Sequence, residues 1–158
     1  MISFNQPPKQ QDLFTSTLHD EKTFYPSFLQ DLKSCDKEVI IESPFVTTWR
    51  MKLFWPIFKV LLEKDVKITI FTRPPEDHDD TYRYQAEQTI QECEEMGIQV
   101  LLCVGNHHRK LAIIDRQILW EGSLNILSQT NSREIMRRID SQVLSDEIFN
   151  FLELGRFI

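Results

Sequence analysis

The chain is expected to fold as an α/β domain, a mixed β-sheet with helices packed on both faces. Two observations carry this. Through the first two thirds, β-branched runs such as 39–46 and 66–72 alternate with segments whose apolar residues recur at helical spacing. In the last third, short apolar runs follow one another with only turns between them, as in hairpins. The 158 residues, 41% hydrophobic and 27% charged, suffice for one domain with its own core.

Residues 1–25 read as an N-terminal arm and 26–158 as a single domain. The arm is polar and proline-bearing; Asn5-Gln6-Pro7-Pro8 is unfit for a helix, and Phe4, Phe14, Phe24 and Tyr25 are expected to tether it loosely. Phe28, Leu29 and Leu32 predict a short helix over 26–34, and 39–46 reads as the first strand, ended or bent by Pro44. Met51, Leu53, Phe54, Ile57, Phe58, Leu61 and Leu62 make one helical stripe over 49–64, in which Pro56 marks a kink or a late start. Residues 66–72 form the second strand, terminated by Arg73-Pro74-Pro75. The acidic run 76–80 leads into a helix over 81–96, stopped by Gly97. Asp77, His78 and Asp79 read as the start of that helix, favouring its dipole, rather than as metal ligands. Strands follow at 98–104, 109–115, 117–121 and 134–139, and Ser141 is positioned to cap a last helix ending before Gly155.

Cys35, Cys93 and Cys103 form no C-x-x-C pair and have no histidine at metal-ligand spacing, so they read as inert thiols in a reducing compartment. The N-terminus lacks a signal peptide's basic start and apolar core, and the most apolar helical stretch is interrupted by Lys52, Pro56 and Lys59. A cytoplasmic protein without membrane attachment is expected. The net charge of −6 argues at first against an anionic partner. Its distribution argues otherwise: residues 105–138 hold six Lys or Arg (109, 110, 116, 133, 137, 138) against three acids (115, 121, 134), a local +3.

That basic stretch contains GNHHRKLAIIDRQILWEGSLN, from Gly105 to Asn125. On a strand His108 and Lys110 would point the same way. An imidazole able to attack or carry protons, beside an ammonium with three donors, suits a phosphoryl group. Asn125 adds an amide donor, Ser123 a hydroxyl, and Gly122 room for a tight turn.

The spacing H-x-K-x4-D-x6-G-S-x-N, met by His108, Lys110, Asp115, Gly122, Ser123 and Asn125, resembles the signature of the phospholipase D superfamily, and Glu134 matches a glutamate that supports the histidine there. The resemblance is strong from Gly105 to Ile139. It implies an α/β/α sandwich and a two-step displacement at phosphorus through a phosphohistidine, with no metal or other cofactor. His108 would be nucleophile in one protomer and acid in the other, Lys110 and Asn125 would hold the non-bridging oxygens, and Glu134 would orient the imidazole. Ser123 and Gly122 would form the phosphate cradle, and Asp115 would act at the catalytic site or, equally, fix the loop or lysine geometry. Arg109 and His107, in the basic stretch, read as further substrate contacts or equally as ordinary solvated residues. Neither His19 nor His78 is followed by a lysine at the motif spacing, so the chain holds one motif, and a homodimer would complete the site. Short single-motif members resemble endonucleases, which makes nucleic acid, DNA ahead of RNA, the expected substrate, with specificity supplied by a further domain or partner protein. The rivals are a lipid phosphodiesterase and a catalytically idle nucleic-acid-binding or dimerisation domain. The segment 49–55, the one candidate for membrane contact, reads as core helix.

Overall fold

Seven strands form one sheet in the order β1-β7-β6-β5-β2-β3-β4, and the computed structural model describes them within residues 14–158. The strands are β1 (Thr15–Asp20), β2 (Glu38–Glu42), β3 (Lys67–Thr72), β4 (Gln99–Leu102), β5 (Leu111–Ile114), β6 (Ile118–Gly122) and β7 (Ile135–Asp140). β2, β3 and β4 run parallel, joined by helical crossovers, whereas β5, β6 and β7 form antiparallel hairpins and β1 closes the edge antiparallel to β7. The sheet is therefore mixed, as the two patterns in the sequence predict.

Four helices, α1 (Phe24–Lys33), α2 (Thr48–Met51), α3 (Trp55–Glu63) and α4 (Asp80–Met96), cover one face. Their Phe24, Phe28, Met51, Phe58 and Ile90, with Phe54 from the turn between α2 and α3, pack on Val39, Ile41, Ile70, Ala112 and Trp120. The other face packs Ile40, Phe71, Ile113, Leu119 and Ile139 beneath α5 (Gln142–Phe151), chiefly through Phe149, and the following turn at Leu154. Alternate residues of each strand thus serve opposite cores. Several local signals act as expected. Gly97 takes the left-handed φ of +97° that ends α4, and the Ser141 hydroxyl accepts from Leu144 N to cap α5.

Three expectations need correction. Within 14–25 there is no loose arm: β1 pairs along its whole length with β7, and Phe24 and Tyr25 are buried in α1. Phe4 and Asn5-Gln6-Pro7-Pro8 lie outside the described residues. The stripe over 49–64 is two helices with a turn at 52–54 between them, and Pro56 sits in the first turn of α3, where its missing N–H costs nothing. Its Met51 and Phe54 are core, but Trp49 is 62% exposed. Finally, the strand expected at 109–115 starts only at Leu111, so His108 and Lys110 precede it.

Candidate active site

The C-terminal ends of β2 and β3, the start of β5, the end of β6 and the start of β7 meet at one rim of the sheet. In open α/β sheets this is where loops converge on a ligand. The segment entering β5 begins with a left-handed turn, φ +85° at Gly105 and +63° at Asn106, and its last residue already pairs, the Lys110 carbonyl accepting from Gly122 N at 3.3 Å. His107 and Arg109 turn one way, toward Glu42. Arg109 grips the Glu42 carboxylate at 2.6 and 3.0 Å, and His107 Nε2 stands 3.6 Å from it. His108 and Lys110 turn the other way. His108 Nε2 lies 3.2 Å from Asn106 Oδ1 and 3.4 Å from Arg73 Nη1, and the Lys110 ammonium donates to the His108 carbonyl at 2.5 Å.

These contacts separate the expected site residues. An Arg73 N–H can approach only a lone pair on Nε2, while the Asn106 oxygen favours an N–H there, so Nε2 has a neighbour whether it presents a lone pair or a hydrogen. Partial burial draws the Lys110 ammonium below its ordinary pKa, and the nearby Glu134 carboxylate opposes that. Glu134 itself accepts from the Ser132 hydroxyl at 2.7 Å and forms no hydrogen bond to His108 among the described residues. His107 is almost wholly buried, and desolvation lowers its pKa against the pull of Glu42. With Arg109 paired to Glu42 as well, both residues hold the loop, and Arg109 stays half exposed.

The Gly-Ser-x-Asn loop is pinned from several sides. The Ser43 hydroxyl accepts from Leu127 N, Tyr25 donates to the Ile126 carbonyl at 2.8 Å, and Arg50 donates to the Gln129 carbonyl. The Ser123 hydroxyl accepts from Ile135 N at 3.1 Å, tying the loop to β7. Asn125 Oδ1 is buried without a hydrogen-bond partner among the described residues, the state of a group built to meet something else. Gly122 serves a different purpose from the expected turn. A Cβ there would stand 2.1 Å from the Ile135 carbonyl oxygen, so glycine lets β6 and β7 approach. Gly122, Lys110 and Arg137 line an open cleft of about 450 Å³ at this rim.

Asp115 is removed from the site. Five residues along β5 from Lys110, on the order of 16 Å at strand rise, it opens a two-residue hairpin turn with Arg116, both with positive φ. Its carboxylate takes the N–H groups of Asp36, Lys37 and Glu38 and the Cys35 thiol, which joins β5 to the start of β2. The basic stretch is also less free than its count suggests, because Arg109, Arg116 and Arg138 pair with Glu42, Glu38 and Asp31. Arg73, which no motif marks, reaches His108 Nε2 at 3.4 Å while it pairs with Asp77. Asp77, His78 and Asp79 form no metal cluster: among the described residues no three His, Cys, Asp or Glu side chains converge, and Asp77 pairs with Arg73 at 3.0 Å.

The family model described as cardiolipin synthase, PLD-like domain, matches residues 28–153. The chain belongs to the phospholipase D-like family. Among solved structures, this phospholipase D-like chain is similar to NucT from Helicobacter pylori at 19% identity and a TM-score of 0.71, the match covering 89% of this chain and 94% of that one. It is equally similar, with a TM-score of 0.71 at 14% identity, to a phospholipase D family member, Nuc from Salmonella typhimurium, covering 89% and 93% of the two chains. Phosphatidylserine synthase from Haemophilus influenzae matches with a TM-score of 0.65 at 14% identity over 94% of this chain but 40% of its own. No curated protein sequence matches the chain. These likenesses establish the fold. No helix among the described residues is long and apolar enough to cross a membrane.

Proposed function

We propose that the chain is a phosphodiesterase that cleaves nucleic-acid backbones without a metal, through a phosphohistidine on His108, at a site completed by a second copy of the chain. The observation that carries this is the meeting of His108, Lys110 and Arg73 at one rim, in a chain whose motif also carries Asn125. His108 attacks phosphorus, an N–P bond forms, the P–O bond to the leaving group breaks, and the partner's His108 gives that oxygen its proton. Water then attacks phosphorus, the partner's His108 takes a proton from it, and the N–P bond breaks. Lys110 and the Asn125 amide hold the non-bridging oxygens and Arg73 adds positive charge, the electrostatic work that metal ions perform elsewhere.

Nucleic acid is favoured by the single motif and by similarity, over nearly their whole length, to chains of one-domain size. Arg137 and Lys110 in the open cleft suit an extended anionic backbone, with DNA the first polymer to test. A lipid phosphodiester is the second reading. It draws on the family description and on Trp49, 62% exposed beside Arg50 and Lys52. The experiment is cleavage of DNA, RNA and phosphatidyl vesicles in excess EDTA by wild type and His108→Ala. Nucleic-acid cleavage that survives EDTA and vanishes in the variant is expected. Cleavage of the vesicles alone would install the lipid reading, and binding of DNA without cleavage of anything would leave a binding domain.

A further inference from the structure

Beside the rim lies a separate cavity of about 310 Å³, whose walls include Phe45, Thr47, Asp77, His78, Asp79 and Tyr82. It connects to the reaction centre through one residue. Arg73 reaches His108 Nε2 at 3.4 Å, stands with its guanidinium 5.2 Å from the Phe45 ring, and pairs with Asp77 at 3.0 Å. Phe45 in turn meets His78 edge to face at 4.9 Å. His108, Arg73, Phe45 and His78 are therefore a continuous chain of contacts leading from the phosphoryl site into the cavity.

The lining selects what can enter. Two carboxylates exclude a second phosphate, apart from what Arg73 can offset at the mouth. Hydroxyls and carboxylates would lose their hydrogen bonds against an acyl chain. A flat, neutral ring with polar edges suffers neither penalty: aromatic walls meet its π-face, and Asp77, Asp79 and Thr47 meet its edge. His78 Nε2 is buried without a partner among the described residues, so one polar atom of a lining residue is unsatisfied in the fold itself. Desolvation and then Arg73 draw that imidazole below its ordinary pKa, against the pull of Asp77 and Asp79.

We infer that the Phe45, His78 and Tyr82 cavity is a nucleobase subsite, seating the base of the nucleotide whose phosphate lies at His108, with Arg73 as the bridge between the two. The inference rests on the nucleic-acid reading above and names the part of the substrate that the chain grips beyond its backbone. The test compares kcat/KM for a single-stranded oligonucleotide with that for an oligomer of the same length whose residues all lack bases. Wild type should favour the base-bearing strand at least about tenfold, the scale of one stacked base. Tyr82 is 51% exposed, so Tyr82→Ala should fold normally. This change should lower the preference several-fold through KM, while Tyr82→Phe keeps the ring and the preference. Equal rates on both strands in wild type, or an undiminished preference in both Tyr82→Ala and His78→Ala, would overturn the subsite. Failure of wild type to cut either strand would instead overturn the nucleic-acid reading and the subsite with it.

Discussion

Arg109 grips both carboxylate oxygens of Glu42, at 2.6 and 3.0 Å, and Glu42 is wholly buried at the end of β2. This pair joins the loop that carries His108 to the centre of the sheet. Removing the guanidinium leaves a buried charge with only His107 nearby. Because Arg109 is about half exposed, Arg109→Ala should cost on the order of 2–3 kcal/mol rather than the full cost of a broken buried pair. Glu42→Gln in the same chain should recover part of that loss. Urea denaturation of the two single variants and the double variant checks this, and additive losses would show that the pair is not coupled.

Asp115 sets part of the acid limit of stability. Burial alone raises its carboxyl pKa, but the N–H groups of Asp36 and Glu38, the Cys35 thiol and the Lys37 N–H outweigh burial and hold it below the ordinary 3.8. A carboxyl depressed in the fold contributes stability that is complete above its unfolded pKa and lost as pH falls through the folded one. Stability should therefore decline below about pH 4. Asp115→Asn should cost about 1–3 kcal/mol at neutral pH and flatten that decline, with little direct effect on the chemistry at the opposite end of β5. Identical acid unfolding curves for the two proteins would contradict this.

Arg137 lines the same cleft as Lys110 and donates to the Ser16 hydroxyl; its cross-strand neighbour Glu121 lines the cleft too but forms no ion pair with it. Arg137→Ala should weaken DNA binding and reduce the slope of log K against log salt by about one. Arg116→Ala removes a cation already paired with Glu38 at the far end of β5 and should leave the slope unchanged. Fluorescence anisotropy between low and moderate salt distinguishes them.

Much of this was legible in the sequence because the signals were local. Gly97 and Ser141 punctuate helices where they stand, and the β-branched runs of β2 and β3 are buried on both faces. β1 was hidden because Thr15–Asp20 offers only Leu18 as a strong apolar residue; it is a strand because β7, more than a hundred residues away, pairs with it. The motif spacing located His108 and Lys110, but which neighbours turn away from them depends on Glu42. Nothing near Glu42 in the chain marks it, and Arg73 is equally silent. Both reach the site only because the ends of the parallel strands and the start of β5 share one rim. Asp115 matches the spacing for a structural reason, since the four residues of β5 separate Lys110 from the hairpin turn.

The most direct test of the account is to quench the enzyme with denaturant during turnover of an oligonucleotide in EDTA and locate any covalent adduct by mass spectrometry under conditions that preserve phosphohistidine. A nucleotide attached to His108, absent from His108→Ala along with turnover, is the predicted result. Turnover that persists in His108→Ala, or an adduct on another residue, would contradict it.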